Sequence, residues 1–216
     1  GAGSIFFHLG LIFYGLAPNL VARPIHMALA LPWIFIYGAK GRAFWVGMLF
    51  VTAGALGCLY IVLNEAALSD QYGSLEGAGQ LIVATILLLV VLEMARRAIG
   101  WPLPLVAILA LVYGLHGELL PGEFGHPGLP VSSFIGTMTI AEGGLWGSLT
   151  GVSVSIVAVF VIMGAVLNAG EAGQGFMNLA AAAAGRLKGG AAKVSVLSSA
   201  FFGSISGSAS ANVAST

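Results

Sequence analysis

The chain has 216 residues, of which 58% are hydrophobic and 7% are charged, against roughly 25% charged residues in an ordinary soluble domain. This composition excludes a soluble protein with a single core and indicates a polytopic membrane protein. Eight basic residues balance eight acidic ones, so the net charge of zero gives no support for nucleic-acid binding. The single cysteine, Cys58, excludes an intrachain disulfide and a cysteine cluster for zinc.

Six apolar segments predict an all-α fold with about six transmembrane helices. In chain order they cover residues 3–17, 21–38, 43–63, 79–94, 102–115 and 149–167. Two less apolar stretches, at 131–145 and 176–187, predict interfacial helices. Because the chain begins without Met inside an apolar segment, we expect it to be part of a longer protein.

The distribution of charge predicts which side of the membrane each loop faces. With the N-terminus placed in the cytoplasm and the sides alternating at every span, seven of the eight basic residues lie inside and only Arg23 lies outside. Short cytoplasmic loops carry an excess of Lys and Arg, so this orientation agrees with the positive-inside rule. Six of the eight acidic residues lie outside: Glu65, Asp70, Glu76, Glu118, Glu123 and Glu142.

The last stretch, residues 193–216, does not have the composition of a continuous membrane helix. Its apolar run of about nine residues would reach only halfway across a hydrocarbon core of about 30 Å. Glycines and serines then alternate, and Asn212 follows them. A helix that breaks inside the membrane needs polar partners for its freed backbone groups. The pattern therefore predicts a re-entrant hairpin that enters from the cytoplasmic side, with its tip near Gly207.

The predicted tip offers sites for a cation and for an anion. The first half-helix directs carbonyl oxygens at the tip, which suits Na⁺. The second half-helix, which begins near Ser208, directs backbone N–H groups at the tip, which suits a carboxylate. The candidate Na⁺ ligands are Gly203, Ser204, Ser206 and Gly207. The candidate substrate contacts are Ser208, Ser210 and Asn212. The glycine spacing also matches the small-xxx-small packing of an unbroken helix, but the dense serines favour the hairpin.

The sequence offers little for catalysis, so we predict that the protein is not an enzyme. It contains neither an H-E-x-x-H motif nor a P-loop nor a dinucleotide fingerprint, and the hairpin lacks the nucleophile elbow G-x-S-x-G. The four histidines show no metal-ligand spacing and are expected to be structural: His8, His26, His116 and His126. Glu93 precedes Arg96 and Arg97 by three and four residues, which predicts an ion pair at the cytoplasmic end of a helix.

Four motifs resemble one family of transporters. The sequence F-G-S-I-S-G-S-A-S-A-N-V at 202–213, with G-R-L-K-G-G-A-A-K-V at 185–194 before it, closely resembles the first re-entrant hairpin of the tripartite ATP-independent periplasmic (TRAP) transporters. R-P-I-H-M at 23–27 and E-M-A-R-R-A-I-G-W-P-L-P at 93–104 resemble the fused permeases of that family. The likeness implies a four-helix small-unit scaffold at 1–98. It also implies that 99–216 is the start of a large transport unit, with two spans, interfacial helices and the hairpin at 193–216.

The resemblance implies a Na⁺-coupled symporter that imports organic acid anions through a bacterial or archaeal inner membrane. It implies that a periplasmic substrate-binding protein, of the TAXI type for fused permeases, delivers the substrate. It also implies an elevator movement of the large unit against a fixed scaffold. The family's contacts at this hairpin carry over to Gly203, Ser204, Ser206, Gly207, Ser208 and Asn212. The second inverted repeat, which supplies the other half of each site, is absent from this sequence.

Two other functions are compatible with a Ser- and Gly-rich hairpin. One is a stand-alone elevator-type anion transporter without a soluble partner. The other is a channel in which the re-entrant loop forms a filter, although such filters usually assemble around a symmetry axis from several subunits. The four extra spans before Arg97 fit the scaffold of a fused TRAP permease better than either alternative.

Overall fold

The computed structural model describes residues 1–15 and 17–206, and within these ranges it contains helices and turns but no strand. The predicted all-α fold of a polytopic membrane protein is confirmed, with about 80% of the described residues in helices. The helices are α1 (Ala2–Tyr14), α2 (Asn19–Phe35), α3 (Arg42–Leu63), α4 (Glu65–Asp70), α5 (Gly77–Ile99), α6 (Pro102–Leu115), α7 (Val131–Thr139), α8 (Ser148–Val152), α9 (Ala158–Ala169), α10 (Ala172–Ala184) and α11 (Gly190–Ser206). A π-helical turn, Ser153–Val157, separates α8 from α9.

Three helical stretches are long and apolar enough to cross a membrane: Arg42–Leu63, Gly77–Ile99 and Val131–Leu167. The first two correspond to the third and fourth predicted spans. The third stretch is interrupted by turns over 140–147, so its membrane-spanning part corresponds to the sixth predicted span. Because α1 and α6 are apolar but have only 13 and 14 residues, the count of six spans stays a prediction.

The chain divides into two compact units. We call Gly15–Gly151 the bundle unit, and Gly1–Tyr14 together with the chain from Val152 onward the hairpin unit. The predicted boundary at residue 98 does not coincide with this division, because α6 and α7 pack with α5 inside the bundle unit. The assignment of small-unit and large-unit segments stays a prediction.

The core of the bundle unit lies where α2, α3 and α5 pack together. Glycines on α3 make room for leucines of the other two helices. A Cβ at Gly54 would lie 2.7 Å from Leu31 Cδ1, and a Cβ at Gly57 would lie 2.8 Å from Leu87 Cδ2. Small residues of this kind let membrane helices approach closely, so that dispersion contacts can hold them together where lipid offers no hydrophobic driving force.

Contacts between distant segments identify the two ends of the bundle unit. At one end, Asn19 Nδ2 donates to Glu142 Oε2 at 3.0 Å, and the Arg23 guanidinium donates to the Trp146 carbonyl. At the other end, the Arg97 guanidinium donates to the Phe35 carbonyl at 3.2 Å. The first set of residues was predicted to lie outside and the second inside. The residues predicted to lie outside and those predicted to lie inside are therefore at opposite ends of the bundle unit. The orientation of the N-terminus stays a prediction.

Candidate functional site

A tight turn over residues 185–190 joins α10 to α11. Gly189 has φ +71°, a left-handed conformation that side chains with a Cβ rarely adopt. A Cβ at Gly190 would lie 2.3 Å from the Gly185 carbonyl oxygen. The motif G-R-L-K-G-G therefore specifies a short reversal of the chain between two helices, because only glycine fits at its last two positions.

The two helices pack antiparallel along each other. The ring of Phe176, near the start of α10, contacts that of Phe201, near the end of α11, with 6.0 Å between centroids. Ala180, Ala184 and Ser198 are buried between the turn and this ring contact. The first turn of α10 therefore lies beside the last turn of α11. We call this the open end of the α10–α11 pair.

The structure places two predicted Na⁺ ligands, Gly203 and Ser204, within α11 and not in a break. The helix extends over 17 residues from Gly190 to Ser206, or about 25 Å. The apolar run of about nine residues lies within this helix. The Ser204 hydroxyl donates to the Phe201 carbonyl at 2.7 Å, and a hydroxyl bound to its own helix in this way lets serine stay helical.

The remaining predicted positions lie outside the described residues: Gly207, Ser208, Ser210 and Asn212. Of Ser206, the structure describes only the helical backbone. The turn near Gly207 and the assignment of Na⁺ and substrate contacts therefore stay predictions.

Oxygen-bearing side chains that the sequence did not indicate lie at the start of α10. Gln174 Nε2 donates to Asn178 Oδ1 at 3.1 Å, and exposed Glu171 stands at the N-terminal boundary of the helix with φ +58°. Glu171 is the one acidic residue in the sequence of the hairpin unit. The G-E-A-G-Q-G sequence was the only available signal, because the antiparallel partner of this segment could not be read from the sequence.

The chemistry of the open end suits a hard cation better than a transition metal. Among the described residues, no group of three or more His, Cys, Asp or Glu side chains could hold a metal ion. The oxygen atoms that the structure describes at this end of α11 are backbone carbonyls and the Ser204 hydroxyl. Oxygen atoms of this kind are hard ligands, and a Na⁺ site here stays a prediction.

The opposite end of the pair holds an apolar groove of about 510 Å³. Alanine and leucine side chains line it beside the 185–190 turn, and Lys193 is its one charged residue. A groove without converging polar groups does not fit a carboxylate substrate. The groove is therefore distinct from the predicted site.

The π turn is a second feature of the hairpin unit that the sequence did not indicate. It contacts α1, whose one buried residue among those described is His8, with 2% of its surface exposed. His8 Nδ1 lies 2.6 Å from the Ser4 carbonyl oxygen and must carry the hydrogen of this bond. His8 is therefore a buried residue within α1. Its bond within α1 agrees with the predicted structural role.

The predicted ion pair of Glu93 is confirmed. Arg96 Nε lies 2.6 Å from Glu93 Oε2, and Arg97 Nε lies 2.8 Å from Glu93 Oε1. The Arg97 guanidinium also lies over the Phe35 ring, 4.8 Å from its centroid. The cluster therefore joins the last turns of α5 and α2, where cations and free carbonyls attract each other.

A comparison with protein families identifies the chain. The sequence model of the DctM component of the tripartite ATP-independent periplasmic transporters matches residues 86–216. The chain belongs to this family. The matched region runs from within α5 through α11 to residue 216. It therefore includes the α10–α11 pair and the positions of the predicted site. No curated protein and no solved structure matches the chain.

Membership makes the protein part of a TRAP secondary transporter. The family is one of transporters rather than of enzymes. Members of the family work with a periplasmic binding protein. The match leaves residues 1–85 uncovered, so the small-unit resemblance of the first four predicted spans stays a prediction.

Proposed function

We propose that this TRAP transporter is a Na⁺-coupled symporter that imports organic acid anions across the inner membrane. The proposal relies mainly on one observation: the match to the TRAP family includes α11 and the Gly- and Ser-rich sequence that follows it. A TRAP transporter is a secondary transporter and so draws its energy from a gradient, and backbone carbonyls and hydroxyls are oxygen ligands suited to Na⁺.

The roles proposed for single residues follow from the direction of the helix dipoles on either side of the predicted turn. Carbonyl oxygens at 203–207 and the hydroxyls of Ser204 and Ser206 are the proposed Na⁺ ligands. Ser208, Ser210 and Asn212 are the proposed substrate contacts, because a helix that begins there would direct N–H groups at a carboxylate. Ser204 donates its hydrogen to Phe201, so its oxygen lone pairs remain available for a cation.

The proposed partner is a TAXI-type periplasmic binding protein, and the proposed arrangement is that of a fused permease with a cytoplasmic N-terminus. The segregation of the basic and acidic ends of the bundle unit supports this orientation. An elevator movement of the large unit, predicted at 99–216, against a fixed scaffold completes the proposal.

Uptake measured in proteoliposomes that contain the full-length transporter tests the function. We expect uptake of an organic acid to require both an inward Na⁺ gradient and the cognate binding protein. Uptake without the binding protein would favour the stand-alone transporter, and ionic conductance independent of any gradient would favour the channel. A full response to a proton gradient alone would remove Na⁺ from the mechanism.

Substitution within α11 tests the site. Ser206→Leu is expected to lower Na⁺-dependent uptake at least about 100-fold, because a large apolar side chain displaces the oxygen ligands at the helix end. Ser195→Leu is the matched control, since Ser195 lies exposed on the same helix, eleven positions earlier. Equal uptake by both variants, at equal amounts of folded protein, would exclude Ser206 from the site.

A further inference from the structure

Two loops of the bundle unit are held against α7. Loop 70–76 meets the helix at Gly73, where a Cβ would lie 2.7 Å from Thr137 Oγ1. Loop 116–129 begins just after Gly114, which faces the Phe134 ring, and returns through a hydrogen bond from Leu129 N to Gly114 O at 2.9 Å. Both loops therefore lie at the same end of the unit, and we call them together the α7-end surface.

Hydrogen bonds hold the second loop in one conformation. His126 Nδ1 accepts from Gly128 N at 3.1 Å, and Nε2 therefore carries the hydrogen that it donates to the Tyr113 carbonyl at 3.1 Å. The Tyr113 hydroxyl donates to the Phe124 carbonyl at 3.0 Å. This network leaves large apolar side chains facing outward, because Leu119 is 76% exposed and Phe124 is 75% exposed.

The first loop presents an aromatic side chain in an unusual backbone conformation. Tyr72 has φ +51°, a region that costs a residue with a bulky side chain roughly 1–2 kcal/mol. Its side chain is 89% exposed. An exposed aromatic side chain on a loop that packs against a helix is typical of a protein interface, where Tyr contributes much contact area for little entropy.

The charge around these side chains indicates what covers them. Exposed carboxylates occupy both loops, and the sequence has neither Lys nor Arg at 70–76 or 116–129. Anionic lipid headgroups attract basic segments and repel acidic ones, so this surface does not suit burial in a membrane interface. A soluble protein with a basic surface is complementary to it. The four carboxylates are Asp70, Glu76, Glu118 and Glu123.

We propose that the α7-end surface is the docking site for the periplasmic binding protein of this transporter. Tyr72 and Phe124 supply the apolar contacts, and the four carboxylates pair with Lys and Arg of the binding protein. The inference rests on the proposed function for the outward orientation of this end. It adds the residues that recognise the partner and the sign of the partner's charge.

Thiol labelling of the full-length transporter in proteoliposomes tests the location. Cys58 is buried, with 1% of its surface exposed, and any other cysteines are replaced. Tyr72→Cys is expected to react with a membrane-impermeant maleimide at least about fivefold more slowly when the loaded binding protein is present. Tyr37→Cys is the matched control, because Tyr37 is 77% exposed and precedes α3, at the opposite end of the unit. With both faces of the membrane accessible, its labelling rate should not change.

Uptake kinetics test how much Tyr72 and Glu123 contribute to the affinity for the binding protein. Tyr72→Asn removes the aromatic ring but retains a residue that tolerates the left-handed conformation. We expect it to raise the half-saturating concentration of binding protein about tenfold, with the maximal rate unchanged, as for truncation of an interface anchor. Glu123→Lys should slow association and weaken its dependence on salt. Tyr37→Asn should leave both quantities unchanged.

Four outcomes would overturn the docking proposal while leaving the proposed function intact, provided that wild-type uptake depends on the binding protein. They are equal labelling of Tyr72→Cys with and without the binding protein, unchanged kinetics in Tyr72→Asn, a disulfide between two copies of Tyr72→Cys, and quenching of Tyr72→Trp by brominated lipid. The last two would assign the surface to a second copy and to lipid. Wild-type uptake without any binding protein would instead refute the proposed function itself.

Discussion

The bundle unit and the hairpin unit use different side chains for the same task of packing helices. The bundle unit buries large ones, such as Trp146, Phe35 and Leu31, and hydrogen bonds between distant segments close both of its ends. The α10–α11 pair buries Ala180, Ala184 and Ser198 instead, with Phe202 as its one large buried side chain among the described residues.

This difference in buried side chains indicates which unit is the more rigid. Large interlocking side chains fix one packing arrangement, since any shift opens cavities. A smooth contact of alanines permits close approach but specifies position less strongly. We therefore expect the bundle unit to act as the rigid part of the transporter and the α10–α11 pair to belong to the part that changes conformation.

The largest effect is expected from Trp146→Ala in the bundle unit. Trp146 is fully buried, and its Nε1 donates to the Thr139 carbonyl at 2.7 Å. Removal of the ring should lower the free energy of unfolding by about 3–5 kcal/mol, measured by thermal unfolding of the full-length protein in detergent. Trp45→Ala is the control, because Trp45 is 72% exposed. If both variants unfold alike, the large buried side chains do not stabilise the bundle unit.

Gly190→Ala should have the next largest effect, by forcing the 185–190 turn open. The new Cβ would lie 2.3 Å from the Gly185 carbonyl oxygen, and overpacking against a backbone atom costs about 1–3 kcal/mol. We expect faster cleavage by protease between α10 and α11 and reduced uptake. Normal protease resistance would show that the turn does not depend on this close contact.

The smallest effect is expected from Gly175→Ala, and it has the opposite sign. A Cβ at Gly175, inside α10, would have nothing within 4 Å, so alanine should stabilise the helix by about 0.5–1 kcal/mol. The same change at Gly54 in α3 should destabilise, because its Cβ would lie 2.7 Å from Leu31. Melting temperatures that move in the same direction would contradict the contrast between loose and interlocked packing.

Local features of the fold could be predicted closely from the sequence. The spans over α3 and α5 depend on uninterrupted apolar runs, and the Glu93 ion pair depends on helical spacing alone. The structure adds that Gly203 and Ser204 continue α11. The Ser204 hydroxyl bonds to its own helix, which lets serine stay helical.

Features that join distant segments could not be predicted. Nothing in the sequence around Arg23 names the Trp146 carbonyl as its partner. The pairing of α10 with α11 was also missed, because an alanine-rich helix has the same composition at an interface as against another helix. The contact of Phe176 with Phe201 went unnoticed for the same reason, since it exists only after the chain has reversed.

By itself the sequence determined the class of protein, its helices and its family, because hydrophobic length, helical spacing and a local Gly- and Ser-rich motif are properties of short segments. Only the tertiary structure decided which segments form each unit, which end of α10 meets the end of α11, and which side chains stay exposed around α7. Those outcomes depend on shape complementarity between residues that are far apart in the chain, and no local pattern encodes it.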